Sequence, residues 1–186
     1  MKPAEKIKIE LIEYIIKNSF ENYTHSSLLM EEMPFLCRTR FADMTLIHDK
    51  MISFEIKSHA DSLAKLARQL ADYTKVFDKV YVVLDKRFYN KIKSLDNKIG
   101  VFIYDKDKQE LTLKRKAGSQ RLTKRNLSLL ICKKYYDIKN KSKLSLDDIR
   151  VLELKNRSKK ELKSKVIKSI CNKYHNNEYN LADSIF

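Results

Sequence analysis

The sequence predicts an α/β protein in which a mixed β-sheet is flanked by helices and followed by a basic helical extension. Short alternating or wholly apolar runs, typical of strands, occur between longer runs with helical periodicity. Only 2 glycines and 2 prolines occur among 186 residues, and 43% of the residues are apolar, as expected for an ordered chain. Residues 114–186 carry 20 basic and 7 acidic side chains, whereas residues 1–113 carry 19 and 17. We therefore divide the chain into a core, 1–116, and a basic helical region, 117–186.

The N-terminal quarter predicts one helix and one ambiguous segment. Apolar residues recur at helical spacing over residues 4–20, and the polar residues 21–27 predict a loop. Residues 28–35 are apolar enough for a strand, but Pro34 argues against a long continuous one.

A hairpin follows, with strands at about 38–47 and 51–58 joined by residues 48–50. In its second strand polar and apolar residues alternate, which is typical of a half-buried strand. A loop of three residues places Asp43 directly opposite Glu55, with Cβ atoms about 4.5–5.5 Å apart. A loop of two residues would send the two carboxylates to opposite faces.

The rest of the chain alternates helices and strands before it becomes wholly helical. The predicted helices span 60–77, 87–96, 123–137 and 145–174, and the predicted strands span 80–84, 100–104 and 111–113. In the first of these helices, Asp61 and Ser62 are placed to cap free N–H groups. The buried stripe of that helix is predicted at Leu63, Leu66, Ala67, Leu70, Thr74 and Phe77.

The hairpin has the residues of a magnesium site. Two carboxylates on adjacent strands, Asp43 and Glu55, suit Mg²⁺, which prefers oxygen ligands and keeps several waters, and Mn²⁺ is expected to substitute. The backbone carbonyl of Ile56 is a third candidate ligand. The ammonium of Lys57 shares the face of Glu55, where it can position a water or offset charge in a transition state. This arrangement suits phosphodiester hydrolysis by Mg²⁺-activated water.

An Asp followed across a hairpin by Glu-x-Lys resembles the PD-(D/E)XK nuclease superfamily, whose fold is restriction-endonuclease-like. Gln69 and Tyr73 match the Q-x-x-x-Y motif of its RecB-like branches. The run from Arg40 to Val83 is similar to a family of small bacterial proteins within that superfamily, which also tend to end in a basic helical region. The resemblance implies a Mg²⁺-dependent deoxyribonuclease, an endonuclease rather than an exonuclease.

The resemblance also implies a role for each motif residue. Asp43 and Glu55 would bind the metal and Lys57 would act on the water. Gln69 and Tyr73 would pack beside the metal and contact the substrate backbone. The superfamily often adds an upstream acidic residue, for which Glu32 is favoured. Glu31, Glu10 and Glu13 are the other candidates.

The basic balance, a formal charge of +15, predicts a polyanionic partner, most simply DNA. The alternative is a solvated surface, since lysines outnumber arginines and phosphate readers favour arginine. Arg38, Arg40, Lys65 and Arg68 would surround the acidic site with positive charge. A second basic cluster could contact phosphates or form a solvated helix face, and its residues are Lys155, Arg157, Lys159 and Lys160.

Two further functions remain open at this stage. One is a nucleic-acid-binding or protein-interaction module with a degenerate nuclease fold. The other is a resolvase of branched DNA such as Holliday junctions, which would require a homodimer. Three widely spaced cysteines without metal-ligand spacing predict free thiols in a reducing compartment. A membrane helix needs about 20 apolar residues in a row, and no apolar run approaches that length. We therefore expect a cytoplasmic protein without a membrane partner.

Overall fold

The computed structural model describes residues 2–131 and 145–175. Its α-helices are α1 (Pro3–Lys17), α2 (Leu66–Val76), α3 (Lys124–Ser128), α4 (Leu146–Asn156) and α5 (Lys159–His175). Its strands are β1 (Leu28–Phe35), β2 (Arg40–Ile47), β3 (Met51–Lys57), β4 (Lys79–Asp85), β5 (Gly100–Asp105) and β6 (Glu110–Arg115). Two short 3₁₀ segments span Phe20–Asn22 and Lys86–Ser94.

The strands form one six-stranded mixed sheet in the order in which they occur along the chain. The β1–β2, β2–β3 and β5–β6 pairs are antiparallel, whereas β3–β4 and β4–β5 are parallel. Helices lie on both faces of this sheet. The predicted fold class, a mixed sheet flanked by helices, is therefore confirmed.

Two apolar cores separate the sheet from its helices. One core joins α1, through residues such as Leu11 and Ile15, to Phe54 and Tyr81 of the sheet. The other core joins α2 and the C-terminal helices to the opposite face. Because both faces are covered, residues Met51–Ile56 of β3 are all buried. The expectation of a half-buried strand is therefore wrong, although Glu55 does lie on the face opposite to Phe54.

The hairpin register agrees with a three-residue loop. Ile47 pairs with Met51 and Met44 pairs with Phe54, and the next position would place Asp43 opposite Glu55. The loop is closed by a hydrogen bond from the His48 N–H to the Lys50 carbonyl, 3.0 Å long.

Pro34 lies inside β1, so the doubt about a continuous strand there is wrong. β1 is an edge strand of the sheet, and Pro34 pairs with Phe41 of β2. A proline is tolerated at an edge because the ladder there needs hydrogen bonds on one side only.

Helix α2 begins later than the periodicity suggests, at Leu66 rather than at residue 60. The Asp61 side chain does not cap this helix. It accepts hydrogen bonds from the N–H and hydroxyl of Ser58, at 2.8 and 2.6 Å. The buried face of the helix therefore differs in part from the predicted stripe. Ala67 is exposed and Thr74 only half-buried, and Tyr73 and Val76 take their places in the core.

The predicted helix 145–174 is two helices. Arg157 and Ser158 separate α4 from α5, and Ser158 forms a capping box with Glu161 at the start of α5. The Ser158 N–H donates to the Glu161 carboxylate at 2.7 Å, and the Glu161 N–H donates to Ser158 Oγ at 3.3 Å. The sequence Ser-x-x-Glu carries this signal.

The C-terminal helices pack on the α2 face of the sheet, and residues such as Ile149, Leu162 and Ile170 join the core there. Lys163 reaches Asp78 at the start of β4 with an ion pair of 2.8 Å. The boundary at residue 116 stays a prediction. Of the predicted helix 123–137, the structure shows α3 over Lys124–Ser128. Residues 129–131 are not helical, and residues 132–137 lie outside the described residues.

Of the cysteines, Cys37 and Cys171 are unpaired in the described part of the chain, and Cys132 lies outside it. None of the described helices is long and apolar enough to cross a membrane.

Candidate active site

The candidate site lies where β2 and β3 separate. Their ladder ends at the Met44–Phe54 pair, and beyond it the Asp43 carboxylate replaces a backbone partner. Asp43 Oδ2 accepts a hydrogen bond of 2.7 Å from the Ile56 N–H. The side chain of Asp43 is therefore fixed beside the peptide that carries the predicted carbonyl ligand.

The Glu55 carboxylate is buried and held by three side chains. Its Oε1 is 2.6 Å from Lys57 Nζ and 2.5 Å from Gln69 Nε2, and its Oε2 is 2.5 Å from the Tyr73 hydroxyl. Only 1% of the Glu55 side chain is exposed. Lys57 of β3 and two residues of α2, Gln69 and Tyr73, thus converge on the buried carboxylate of Glu55.

Tyr73 connects α2 to both strands. Its hydroxyl lies 3.1 Å from the Phe41 carbonyl as well as beside Glu55. Burial, followed by the charges of Glu55 and Asp43, raises the pKa of Tyr73, so the hydroxyl stays protonated and donates.

The pKa values of both carboxylates are raised, chiefly by burial. Burial raises the pKa of Glu55, and the charge of Asp43 raises it further, although Lys57 and Tyr73 oppose the shift. Burial also raises the pKa of Asp43, against the Ile56 N–H and the charge of Lys57. A bound cation would relieve both effects.

Glu32 lies beside this pair, as favoured from the sequence. The flanking pairs of β1 and β2, Glu31 with Met44 and Met33 with Ala42, place it opposite Asp43. Partial burial raises the pKa of Glu32, and the charge of Asp43 adds to the shift.

The backbone of Glu32 is strained, with φ of 48° inside a strand. Strained residues of this kind concentrate at functional sites. Two of the other upstream candidates, Glu31 and Glu10, interact with other side chains. Glu31 pairs with Lys8 at 2.7 Å, and the charge of Glu10 acts on Tyr104 of β5.

Two charged residues near Asp43 were not predicted. Lys8 of α1 lowers the pKa of Asp43, and Asp61 raises it, each through its charge. Lys8 is on the same helix as the predicted core stripe but outside it, and no sequence pattern marks such a residue. Asp61 was predicted as a helix cap because it precedes α2.

The residues present fit a hard divalent cation. Besides the two carboxylates, Gln69 Oε1 is a buried oxygen with no hydrogen-bond donor in the residues that the structure describes. No group of three or more His, Cys, Asp or Glu side chains in the described ranges has metal-holding geometry. A cation here would have two carboxylates as donors, and backbone and amide oxygens and waters would have to complete its coordination.

The predicted nucleic-acid residues fall into two groups. Arg38, Lys65 and Arg68 are exposed, as are Lys155, Lys159 and Lys160 in the C-terminal helices. Arg40 and Arg157 instead bind carboxylates of the protein. Arg40 Nε lies 2.9 Å from Asp72, and Arg157 pairs with the buried Glu153.

The profile of the family described as Bacteriophage P4 protein cII matches residues 1–185. The chain belongs to this family. Protein cII of Enterobacteria phage P4 is 27% identical over 182 residues, which cover 92% of this chain and 67% of that protein. The site described above therefore lies within a chain that matches the family over almost its whole length.

Among solved structures, the chain is similar to the SPO1766 protein of unknown function from Silicibacter pomeroyi. The TM-score is 0.50 at 18% identity, over 86% of this chain and 97% of that one. At this identity the likeness concerns the fold alone.

Proposed function

We propose that this chain is a metal-dependent endonuclease that hydrolyses phosphodiester bonds of DNA. The observation that carries the proposal is the Glu55 carboxylate, which is buried beside Asp43 and held by Lys57, Gln69 and Tyr73. Burying two neighbouring carboxylates costs stability unless a cation compensates for their charge. Carboxylates in such surroundings are concentrated at functional sites.

The chain's own residues would divide the work as follows. Asp43, Glu55 and the Ile56 carbonyl would hold Mg²⁺ or Mn²⁺, with Glu32 near enough to bind through a water. The bound ion would polarise a phosphoryl oxygen and lower the pKa of a coordinated water.

Lys57 would act on the reacting groups. Its ammonium lies 2.6 Å from Glu55 Oε1 and is 12% exposed, so it can reach the attacking water or the phosphate. Gln69 and Tyr73 would keep Glu55 in place, and Arg38, Lys65 and Arg68 would offset the negative charge of the incoming strand.

The test is cleavage of supercoiled plasmid and of linear single-stranded DNA with Mg²⁺ or Mn²⁺. We expect cleavage by the natural chain and its loss, by about 10²-fold or more, in Lys57→Ala. Lys79→Ala is the matched control. Lys79 is 18% exposed and pairs with Glu21 at 2.6 Å, so it resembles Lys57 in burial and partner but lies away from the site. Absence of metal-dependent cleavage by the folded natural chain would overturn the proposal.

A second candidate is a binding module with the same fold and no hydrolysis. The full hydrogen bonding of Glu55 favours it, because Lys57 and Gln69 already donate to Oε1 and Tyr73 to Oε2. Calorimetric titration with Mn²⁺ separates the two functions. DNA binding without Mn²⁺ binding and without cleavage would support the module. The branched-DNA resolvase and its homodimer remain predictions.

A further inference from the structure

Asp85 is a buried carboxylate that the proposed reaction does not use. It lies at the carboxyl end of β4, next to the Lys57–Leu84 pair that closes the parallel β3–β4 ladder. Its Oδ1 accepts a hydrogen bond of 3.0 Å from the Arg87 N–H and caps the 3₁₀ segment there. Its Oδ2 has no hydrogen-bond partner in the residues that the structure describes, although only 5% of the side chain is exposed.

The group that faces this free oxygen is His59. Its Nδ1 lies 4.0 Å from Asp85 Oδ2, and 46% of the His59 side chain is exposed. Tyr104, another neighbour, offers no positive charge. Burial raises its pKa first, and the charges of Glu10 and Asp85 raise it further. The Nδ1 side of the His59 ring therefore faces the Asp85 carboxylate, and the rest of the ring is partly exposed.

His59 sits on a turn that is firmly tied. Ser58 Oγ donates to the Asp61 carboxylate at 2.6 Å, and the Asp61 N–H donates to the Ser58 carbonyl at 3.0 Å. The Arg87 guanidinium donates to the Asp61 carbonyl from the other side. Arg87 thus anchors the turn to the end of β4, where Asp85 caps the segment that carries Arg87. This anchoring orients His59, which lies in neither a helix nor a strand.

The turn borders the candidate active site. The charge of Asp61 contributes to the raised pKa of Asp43. His59 follows Lys57 by two residues, so its backbone is about 7 Å further along the chain at most. His59 is therefore close enough in the chain to contact a phosphate next to one that lies at Lys57.

We propose that His59, held by Asp85, binds the phosphate that flanks the scissile one. The inference rests on the proposed nuclease function, and it assigns a second phosphate position beyond the metal site. The imidazole of His59, whose Nδ1 lies 4.0 Å from the buried Asp85 carboxylate, can donate a hydrogen bond to a phosphate oxygen.

The test measures binding of a short single-stranded oligonucleotide in Ca²⁺, together with the melting temperature of each variant. We expect His59→Ala and Asp85→Asn each to weaken binding about ten-fold. The double variant should bind no more weakly than either single variant, because both act through one contact. The salt slope of His59→Ala should fall by about one. His25→Ala, which removes an exposed histidine from a loop before β1, is the control and should bind like the natural chain.

The melting temperature separates a role in binding from a role in folding. Asparagine keeps the acceptor for the Arg87 N–H and removes the buried charge, so Asp85→Asn should melt at the same or a higher temperature. A lowered melting temperature for Asp85→Asn, or unchanged binding by His59→Ala, overturns the inference. If the natural chain binds no nucleic acid, the proposed function itself fails.

Discussion

The Tyr73 hydroxyl, on α2, lies 2.5 Å from Glu55 Oε2, on β3. This contact ties a helix to the strand that it follows, and it does so through the most buried carboxylate of the candidate site.

Tyr73→Phe should destabilise the protein by about 1–3 kcal/mol, because it leaves a buried oxygen of Glu55 without its donor. The measurement is urea unfolding monitored by circular dichroism. Tyr89→Phe is the control, since Tyr89 is 53% exposed and its hydroxyl is open to water. Equal stability of the two variants would contradict the buried contact.

Asp43→Asn should raise the stability of the metal-free protein by about 1 kcal/mol, because it removes one of two neighbouring buried charges. Its amide oxygen can still accept from the Ile56 N–H. Melting curves with and without Mn²⁺ check this, and Mn²⁺ should stabilise the natural chain but not the variant. Asp107→Asn, at an exposed turn, should change neither curve.

Arg68→Ala should weaken DNA binding and lower the salt slope by about one, with little change in stability. Arg157→Ala should instead lower stability, because Arg157 is bound to the buried Glu153. Fluorescence anisotropy at several salt concentrations gives the binding, and thermal melting gives the stability. Lys98→Ala, at an exposed position just before β5, is the binding control. The prediction is wrong if Arg68→Ala and Lys98→Ala have the same effect on affinity.

Glu153 should make part of the stability dependent on pH. Burial would raise its pKa, but Lys165 and Arg157 outweigh burial and hold the pKa below its usual value. Its stabilising contribution is therefore present above about pH 4.5, the unfolded value, and is lost as the pH falls through the folded value. Glu153→Gln should flatten this acid-side loss in melting temperature. A variant with the same acid-side slope as the natural chain would refute the assignment.

Gly100→Ala should destabilise the protein by about 3 kcal/mol or more, because a Cβ there would lie 2.2 Å from the Tyr81 ring and 2.9 Å from the Ala117 nitrogen. The chain's other glycine provides the control. The three atoms nearest to a Cβ on Gly118 all belong to Lys98, and none is closer than 3.3 Å, so Gly118→Ala should be nearly neutral. Chemical unfolding of the two variants compares them directly.

Much of the candidate site could be predicted because it depends on local rules. Residue parity along two strands and one loop length place Asp43 opposite Glu55. Helical spacing of four residues puts Gln69 and Tyr73 on one face of α2. Each of these arguments uses residues close together in the chain, where geometry leaves few choices.

The remainder depends on contacts between distant parts of the chain, which periodicity does not encode. Alternation in β3 suggested an open face, but α2 and the C-terminal helices cover that face. Lys8 reaches the site from α1, and Asp85 from the end of β4, through tertiary packing. The break at Ser158 is marked in the sequence by Ser-x-x-Glu, which the prediction of one helix over 145–174 did not take into account.

The covering of the α2 face has a consequence for synthesis of the chain on the ribosome. The site residues, from Glu32 to Tyr73, emerge early, whereas Ile149, Leu162 and Ile170, which cover the adjoining core, come last. At about 5–20 residues per second, that apolar surface stays open for at least several seconds. The nascent chain is therefore most prone to aggregation after the site residues have emerged and before α5 has docked.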